Sequence, residues 1–455
     1  MSQDSSPDTA RAGKSRREWL ALAAILLLGL LLRVWYLDVI LDAPDFAAPQ
    51  QDPDVQDYYA RALISGDWSV REGCNDPHMR TTPYFRPPGH GYLLAAIYWL
   101  ANGNYLAPRL FNLALGLASI WLVYRLGKRV YGAKEGLIAA FFMATYWGFI
   151  YWEGELNDPV VFVFLVPCLF LALRAWGDRM TVRWAVVIGL IFGIYALMRP
   201  NILAFGPFAA AWMAWIAWRR GSIARIPASW AALLGVTLLT IAPVTVRNYV
   251  ASGEFVPIAT YFGENFLIGN GEDSDGVTPW TPYLQRLEGT GSWSVWDYDN
   301  VVKGLGKEVG KPDLTHSEAS KIFTRQTLAY IGEHKWRTFK LALAKCVLFW
   351  SPKEITCNKV VEAEKAFYAP LKYLPGFPLA AALFFFGLAL LLWHEWRQPV
   401  SREASGAGVT RTEMSVLILV FIAVYFATFI PFFVNGRARI PLIPLFFLVG
   451  AFGLR

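Results

Sequence analysis

Apolar stretches about twenty residues long recur along the chain, separated by short polar turns. The first, "WLALAAILLLGLLLRVWYL" (19–37), is long enough as a helix to cross a hydrocarbon core about 30 Å thick. Comparable runs lie near 105–126, 137–153, 159–176, 184–199, 201–218, 228–246, 374–393, 413–434 and 440–455. The pattern predicts an all-α polytopic membrane protein, a bundle of about ten transmembrane helices. Basic residues precede the first run, as in a signal peptide. The run is too long for one and no small-residue cleavage site follows, so an uncleaved first helix is expected.

The turns between runs are of two kinds. "RAGKSRR" (11–17), "GKRVYGAKEG" (127–136), "RAWGDRMTVR" (174–183), "WRRGSIARIP" (218–227) and "EWRQPVSR" (395–402) are basic, and the positive-inside rule assigns them all to the cytoplasm. That parity leaves no crossing for "GHGYLLAAIYWLA" (89–101), which is also too short to span; it is expected to lie at the outer interface. "KWRTFKLALAKCVLFW" (335–350) mixes basic and apolar residues in the same interfacial manner, with a spanning assignment as the alternative. The chain then divides into an N-terminal transmembrane module (1–246) with a first outer loop at 41–88, an extracytoplasmic segment (247–370) and C-terminal transmembrane helices (371–455). The expected location is a bacterial inner membrane, with the N-terminus cytoplasmic.

Composition agrees with this reading. The 455 residues are 55% hydrophobic and only 17% charged, with mean hydropathy +0.35, where soluble proteins carry about 25% charged residues. The net charge of +7 would suggest nucleic acid in a soluble protein. Here the cations fix topology, and no nucleic-acid partner is expected. No P-loop, HExxH or GxSxG pattern falls in a usable context. Cys74, Cys168, Cys346 and Cys357 show no metal-binding spacing. Cys74 and Cys357 both fall in outer segments, where a bridge between them is an open question.

The outer turns carry the chemistry. Asp52, Asp54 and Asp57 crowd into "QDPDVQDYYARALISGDW" (51–68), where Asp54, Asp57 and Tyr58 share a helix face. Capping accounts equally well for Asp52 or Asp54, and the Asp158–Pro159 pair is a helix-start signal in its own right. Arg86, Arg199, Arg247, Arg437 and Arg439 lie at outer helix ends, where the positive-inside rule gives no reason for them. Snorkelling to lipid phosphates is one account. The other is recognition of an anion, since a guanidinium offers phosphate a planar fork. A sugar held on a membrane lipid through phosphate uses both sets: a carboxylate base for the attacking hydroxyl, and cations for the leaving phosphate. The bond energy sits in that linkage, so no nucleotide-binding loop is needed.

The order of "DVQDYYARALISG", "RPPGHGYLLAAIYWL", "APRLFNLALGLASIWLVYRLGKRVYG", "NDPVVFVFL", "LMRPN", "VRNYVASGEFVPIATYFGENFLIGN" and "RARIPLIP" resembles the GT-C superfamily of polytopic glycosyltransferases. The nearest likeness is to relatives of the protein O-mannosyltransferases and of the lipid A aminoarabinose transferase. The resemblance implies hexosyl or pentosyl transfer from a polyprenyl-phosphate donor to a lipid, glycan or protein acceptor, at an extracytoplasmic site. It places the catalytic base on Asp54, a second catalytic carboxylate on Asp158, and the basic residue near the lipid phosphate on Arg86. Val55 follows Asp54 where many members have Asp-Glu, so Asp52 and Asp57 stay as rivals for the base. Asp57, Tyr58, Arg86, His90, Arg199, Arg247, Arg437 and Arg439 are the expected substrate-binding residues. Related monosaccharide transferases imply no cofactor, though three Asp in one loop leave a divalent cation open. The competing class is a transporter or flippase of envelope glycolipids, which calls for charges at helix midpoints and interrupted helices in repeated halves.

Overall fold

A computed structural model describes residues 7–454 except 290, 292, 293, 295, 357–358 and 398–407. Cys357 lies outside the described residues, and with it the question of a bridge to Cys74. The described chain is helical: α1 (Pro7–Ile40), α2 (Asp52–Ser65), α3 (Gly89–Leu100), α4 (Leu106–Val130), α5 (Ala133–Thr145), α6 (Trp147–Gly154), α7 (Pro159–Arg179), α8 (Val182–Met198), α9 (Gly206–Arg219) and α10 (Ile226–Ser252). There follow α11 (Phe262–Asn270), α12 (Pro282–Glu288), α13 (Tyr298–Glu308), α14 (His316–Glu333), α15 (Lys335–Phe349), α16 (Val361–Phe367), α17 (Ala369–Lys372), α18 (Phe377–Arg397), α19 (Arg411–Ala427) and α20 (Ile443–Gly453).

Seven helical segments among the described residues are long and apolar enough to cross a membrane. Those at α7 and α20 are buried over most of their length, 78% and 89%, whereas those at α1 and α10 are only 22% buried. Leu27, Leu31, Leu234, Leu238 and Leu239 stand exposed on these outer helices. Such continuous apolar faces are stable only against lipid, so this is a multi-pass membrane protein. The helix α8, with 17 residues, is apolar but shorter, and the expected runs near 137–153 and 413–434 correspond to the pair α5–α6 and to α19, which do not reach the same length and hydropathy. Neither α3, with 12 residues, nor α15, with 15, reaches spanning length at about 1.5 Å per residue.

The two ends of the bundle differ. At one end α1 meets α4 through Glu18 and Lys128, α9 meets α19 through Arg219 and Glu413 (2.9 Å), and Arg225 reaches the Arg179 carbonyl. All the basic turns between helices that the structure describes collect there. At the other end α2, α3, α11–α17 and the loops between them form a polar cap. The close of α10 stitches this cap together. Asn248, fully buried, accepts from the Tyr84 amide and donates to the carbonyls of Val256 and Ile258. The amides of Thr260 and Tyr261 then bond the carbonyls of Tyr84 and Phe85 (2.9 and 3.0 Å). The first loop and the segment after α10 are thereby held side by side.

Candidate active site

A cavity of ≈ 740 Å³ opens within the polar cap. Several parts of the sequence deliver its charged groups, and for four of them the reason is local. Pro53 in the first turn and the left-handed Gly66 (φ 75°) delimit α2. Asp52 and Gln56, four apart, share the α2 face that lines the cavity. Asp158 ends the turn before Pro159, where the fixed proline φ starts α7. Its carboxylate makes no capping bond and instead accepts from Arg199 Nη2 at 3.2 and 3.3 Å. Arg199 precedes Pro200, which excludes helical backbone there; α8 stops, and Arg199 is extended at φ −150°, ψ 96°. Arg437 belongs to a 3-10 turn capped by the Asn435 side chain.

Asp52 is the hub of this cavity. It forms ion pairs with Arg86 and, at 3.2 Å, with Arg437. Arg437 also donates to Asn157 (3.0 Å). Gln51, just before Asp52, sits at φ 60°, a backbone region costly for a non-glycine residue and one that recurs at functional sites. His90 lines the cavity between two glycines that let α3 approach its neighbours. A Cβ on Gly89 would lie 2.8 Å from the Leu197 backbone, and one on Gly91 2.2 Å from the Tyr59 ring. Burial drives the His90 pKa down to about 4, so the imidazole is neutral. Glu264, on the first turn of α11, also lines the cavity and is 1% exposed. Burial pushes its pKa up to about 8, against the pull of Arg86.

The opposite face of α2 borders a separate recess of ≈ 400 Å³. Asp54 lies here, paired with Arg71 and accepting from Trp296 Nε1 (3.1 Å), with its pKa raised chiefly by burial. Asp57 accepts from Arg61 (2.9 Å), Tyr98 (2.6 Å) and Tyr105 (3.0 Å). Tyr58 donates to the Trp68 carbonyl (2.7 Å) and packs edge-on against Trp296. The three first-loop Asp therefore do not converge.

Among the residues expected from the sequence, Arg86, His90, Asp158, Arg199 and Arg437 meet in the large cavity, joined there by Asp52. Asp54, Asp57 and Tyr58 occupy the recess. Arg247 and Arg439 line neither. Arg247 lies over the Tyr84 ring (4.0 Å) and donates to the carbonyls of Thr82 (2.8 Å) and Met79. Arg439, 2% exposed, packs on Phe377 (3.4 Å), pairs with Glu354 (2.8 Å) and binds the carbonyls of Phe349, Ser351 and Lys353. Both secure loops of the cap. Glu264, Tyr261 and Gln56 were not singled out as site residues from the sequence; the signal for Glu264 was a lone carboxylate inside the apolar string "TYFGENFLIG".

Residues 85–246 match the sequence model of the family described as dolichyl-phosphate-mannose-protein mannosyltransferase. No curated protein sequence matches the chain significantly. Among solved structures, the Archaeoglobus fulgidus oligosaccharyltransferase tethered to an acceptor peptide is similar with a TM-score of 0.50 and 16% identity, over 96% of this chain and 49% of that one. ArnT from Cupriavidus metallidurans is similar with a TM-score of 0.38 and 14% identity in the apo state, over 98% of this chain and 77% of that one. Bound to undecaprenyl phosphate, ArnT gives 0.37 and 12%, over 95% and 76%. The chain spans about half the length of the oligosaccharyltransferase chains it matches. The fold is similar to that of the oligosaccharyltransferase, in agreement with the helical membrane architecture expected from the sequence.

Proposed function

We propose that the chain is a GT-C glycosyltransferase that moves a sugar from a polyprenyl-phosphate donor to an acceptor hydroxyl. One observation carries the reading: a single cavity in the cap of a lipid-exposed bundle joins the Asp52 carboxylate to Arg86 and Arg437, beside the Asp158–Arg199 pair. The family model matching 85–246 takes its name from a phosphate-linked sugar donor, and that segment includes Arg86, His90, Asp158 and Arg199.

In this reading the acceptor oxygen attacks the anomeric carbon as the carbon–oxygen bond to phosphate breaks. Asp52 takes the hydroxyl proton, and the phosphate leaves with the electron pair of the broken bond. Arg86 and Arg437 hold Asp52 before the donor arrives and place their positive charge beside the leaving phosphate. Asp158, fixed by Arg199, borders the space for the sugar hydroxyls. Among Asp52, Asp54 and Asp57, the geometry favours Asp52 as the base. Asp54 and Asp57 face the recess, away from the arginines Arg86, Arg199 and Arg437 that line the cavity.

The cavity lies at the end of the bundle away from the basic turns, which supports an extracytoplasmic site in a bacterial inner membrane. A cysteine introduced at Glu72 should label with an impermeant reagent in intact cells while one at Arg219 should not; the reverse pattern overturns this orientation. The transfer itself is tested with purified protein, a polyprenyl-phosphate sugar and an envelope lipid extract, with mass spectrometry of the products. Donor left intact by the wild type under every acceptor fraction tells against a transferase. Net movement of the lipid across vesicles without bond cleavage favours the flippase instead.

A further inference from the structure

Glu264 is the charged-type side chain of the cavity that the scheme above leaves idle. It is 1% exposed, it lines the cavity, and its Oε2 has no hydrogen-bond partner among the described residues. A buried ionised carboxylate with an unmatched oxygen is costly; a neutral carboxyl in the same place holds a hydrogen ready for a ligand. The surroundings favour the neutral form. Arg86 comes from the first loop, but it is bound to Asp52. From α13 comes Tyr298, whose ionisation Glu264 opposes. The helix α14 presents Ser320 to α11, whose Oγ accepts from the Gly263 amide (3.0 Å). Across the cavity, Arg199 is taken by Asp158 and Arg437 by Asp52 and Asn157.

We propose that Glu264 works as a neutral carboxyl group whose O–H donates a hydrogen bond to a non-bridging phosphate oxygen of the bound donor, next to Arg86. This assignment rests on the donor reading above. Charge matching supports it. With Glu264 neutral, the arginines Arg86, Arg199 and Arg437 exceed Asp52 and Asp158 by one positive unit, which suits the single charge of a phosphodiester. Ionised, Glu264 cancels that unit and sets a carboxylate against the phosphate. Its pKa of about 8 keeps it protonated near neutrality and lets it ionise in mildly alkaline solution. Glu264 is thus a donor-binding residue that senses alkaline pH, distinct from the base.

The test uses the full chain in nanodiscs of neutral lipid, with polyprenyl-phosphate mannose as probe because its phosphodiester keeps one charge throughout. Wild-type affinity should fall about tenfold or more between roughly pH 6.5 and pH 9.5, as the carboxyl ionises through its raised pKa. Glu264→Gln, which keeps an N–H donor and cannot ionise, should bind at all these pH values as the wild type does at the low end. Glu264→Ala should bind weakly at every pH. An alkaline loss of the same size in Glu264→Gln overturns the proposal, as does unchanged wild-type affinity across the range. The protonation is read separately from the infrared carbonyl band of a protonated carboxyl, present in the wild type near neutrality and lost in Glu264→Gln. Absence of that band also overturns it. If the band is present but the probe never binds the wild type, it is the donor reading that fails and the phosphate contact with it.

Discussion

The two faces of α2 hold the same ingredients, Asp and Arg, in different states. On the recess face, Asp57 accepts from Arg61, Tyr98 and Tyr105 over both of its oxygens, and Asp54 accepts from Arg71 and Trp296 at Oδ2. On the cavity face, Asp52 bridges two arginines, and His90 Nδ1 and Glu264 Oε2 have no hydrogen-bond partner among the described residues. A buried polar atom without a partner is a cost to the empty protein that a ligand can remove. The comparison teaches that acid content alone does not mark the working site; buried polar atoms left without partners beside a cavity do.

The largest effect should separate the two faces directly. Asp52→Asn removes the proton acceptor and keeps the shape, so sugar transfer should drop by about 10²-fold or more. Asp54→Asn should stay within about threefold, since its work is to accept from Arg71 and Trp296, and Asn still accepts. Full activity in folded Asp52→Asn together with a collapse in Asp54→Asn would reverse the assignment of base. Next come the matched arginines. Arg86→Ala should cut kcat/KM for the donor by roughly 10²-fold through lost stabilisation of the leaving phosphate. Arg71→Ala, whose side chain is 56% exposed, should change it by less than about threefold. Equal losses in both would erase the distinction between cavity and recess.

A smaller effect, on stability, belongs to the recess. Asp57→Ala leaves two tyrosine hydroxyls and Arg61 without their acceptor. The hydroxyls are sheltered while Arg61 is 36% exposed and screened by water, so the cost should be about 1–3 kcal/mol. A lower thermal midpoint with unchanged transfer per folded molecule is the expected result; lost transfer at full stability would move Asp57 into the chemistry. Smallest of all, Arg247→Ala should loosen the first loop by about 1 kcal/mol through its two carbonyl bonds and the Tyr84 ring. Faster proteolysis near residues 79–84 without a change in donor affinity would show that role. A donor-affinity loss as large as that of Arg86→Ala would return Arg247 to the site.

Part of the site was readable from helix geometry. At roughly 100° per residue, Asp54 lies about 200° around α2 from Asp52, so the two cannot face one cavity. The sequence also grouped Asp54 with Asp57 and Tyr58, which do share a face. What it lacked was the side on which Arg86, Asp158 and Arg437 stand. Arg199 and Asp158 were legible because each adjoins a proline that ends or starts a helix, a local effect. Arg247 and Arg439 share the outer location of the others, but the Tyr84 and Phe377 rings and the carbonyls they bind lie far away in sequence. Glu264 could be placed in the cap, but its burial depends on α11 packing against α14 and on the first loop laid beside it.

The sequence by itself determined that the chain is helical and multi-pass, roughly where its long apolar helices run, and that carboxylates and arginines collect in the turns opposite the basic ones. Those features follow from the length of apolar runs, from prolines and glycines at their edges and from the sign of charge in each turn, all of which act within a few residues. Only the tertiary structure decided which polar groups meet. That depends on the rotation of each helix about its axis and on contacts such as Asp52 with Arg437, between elements at opposite ends of the chain. Local periodicity fixes a residue's face on its own helix, and packing against distant partners fixes what that face sees.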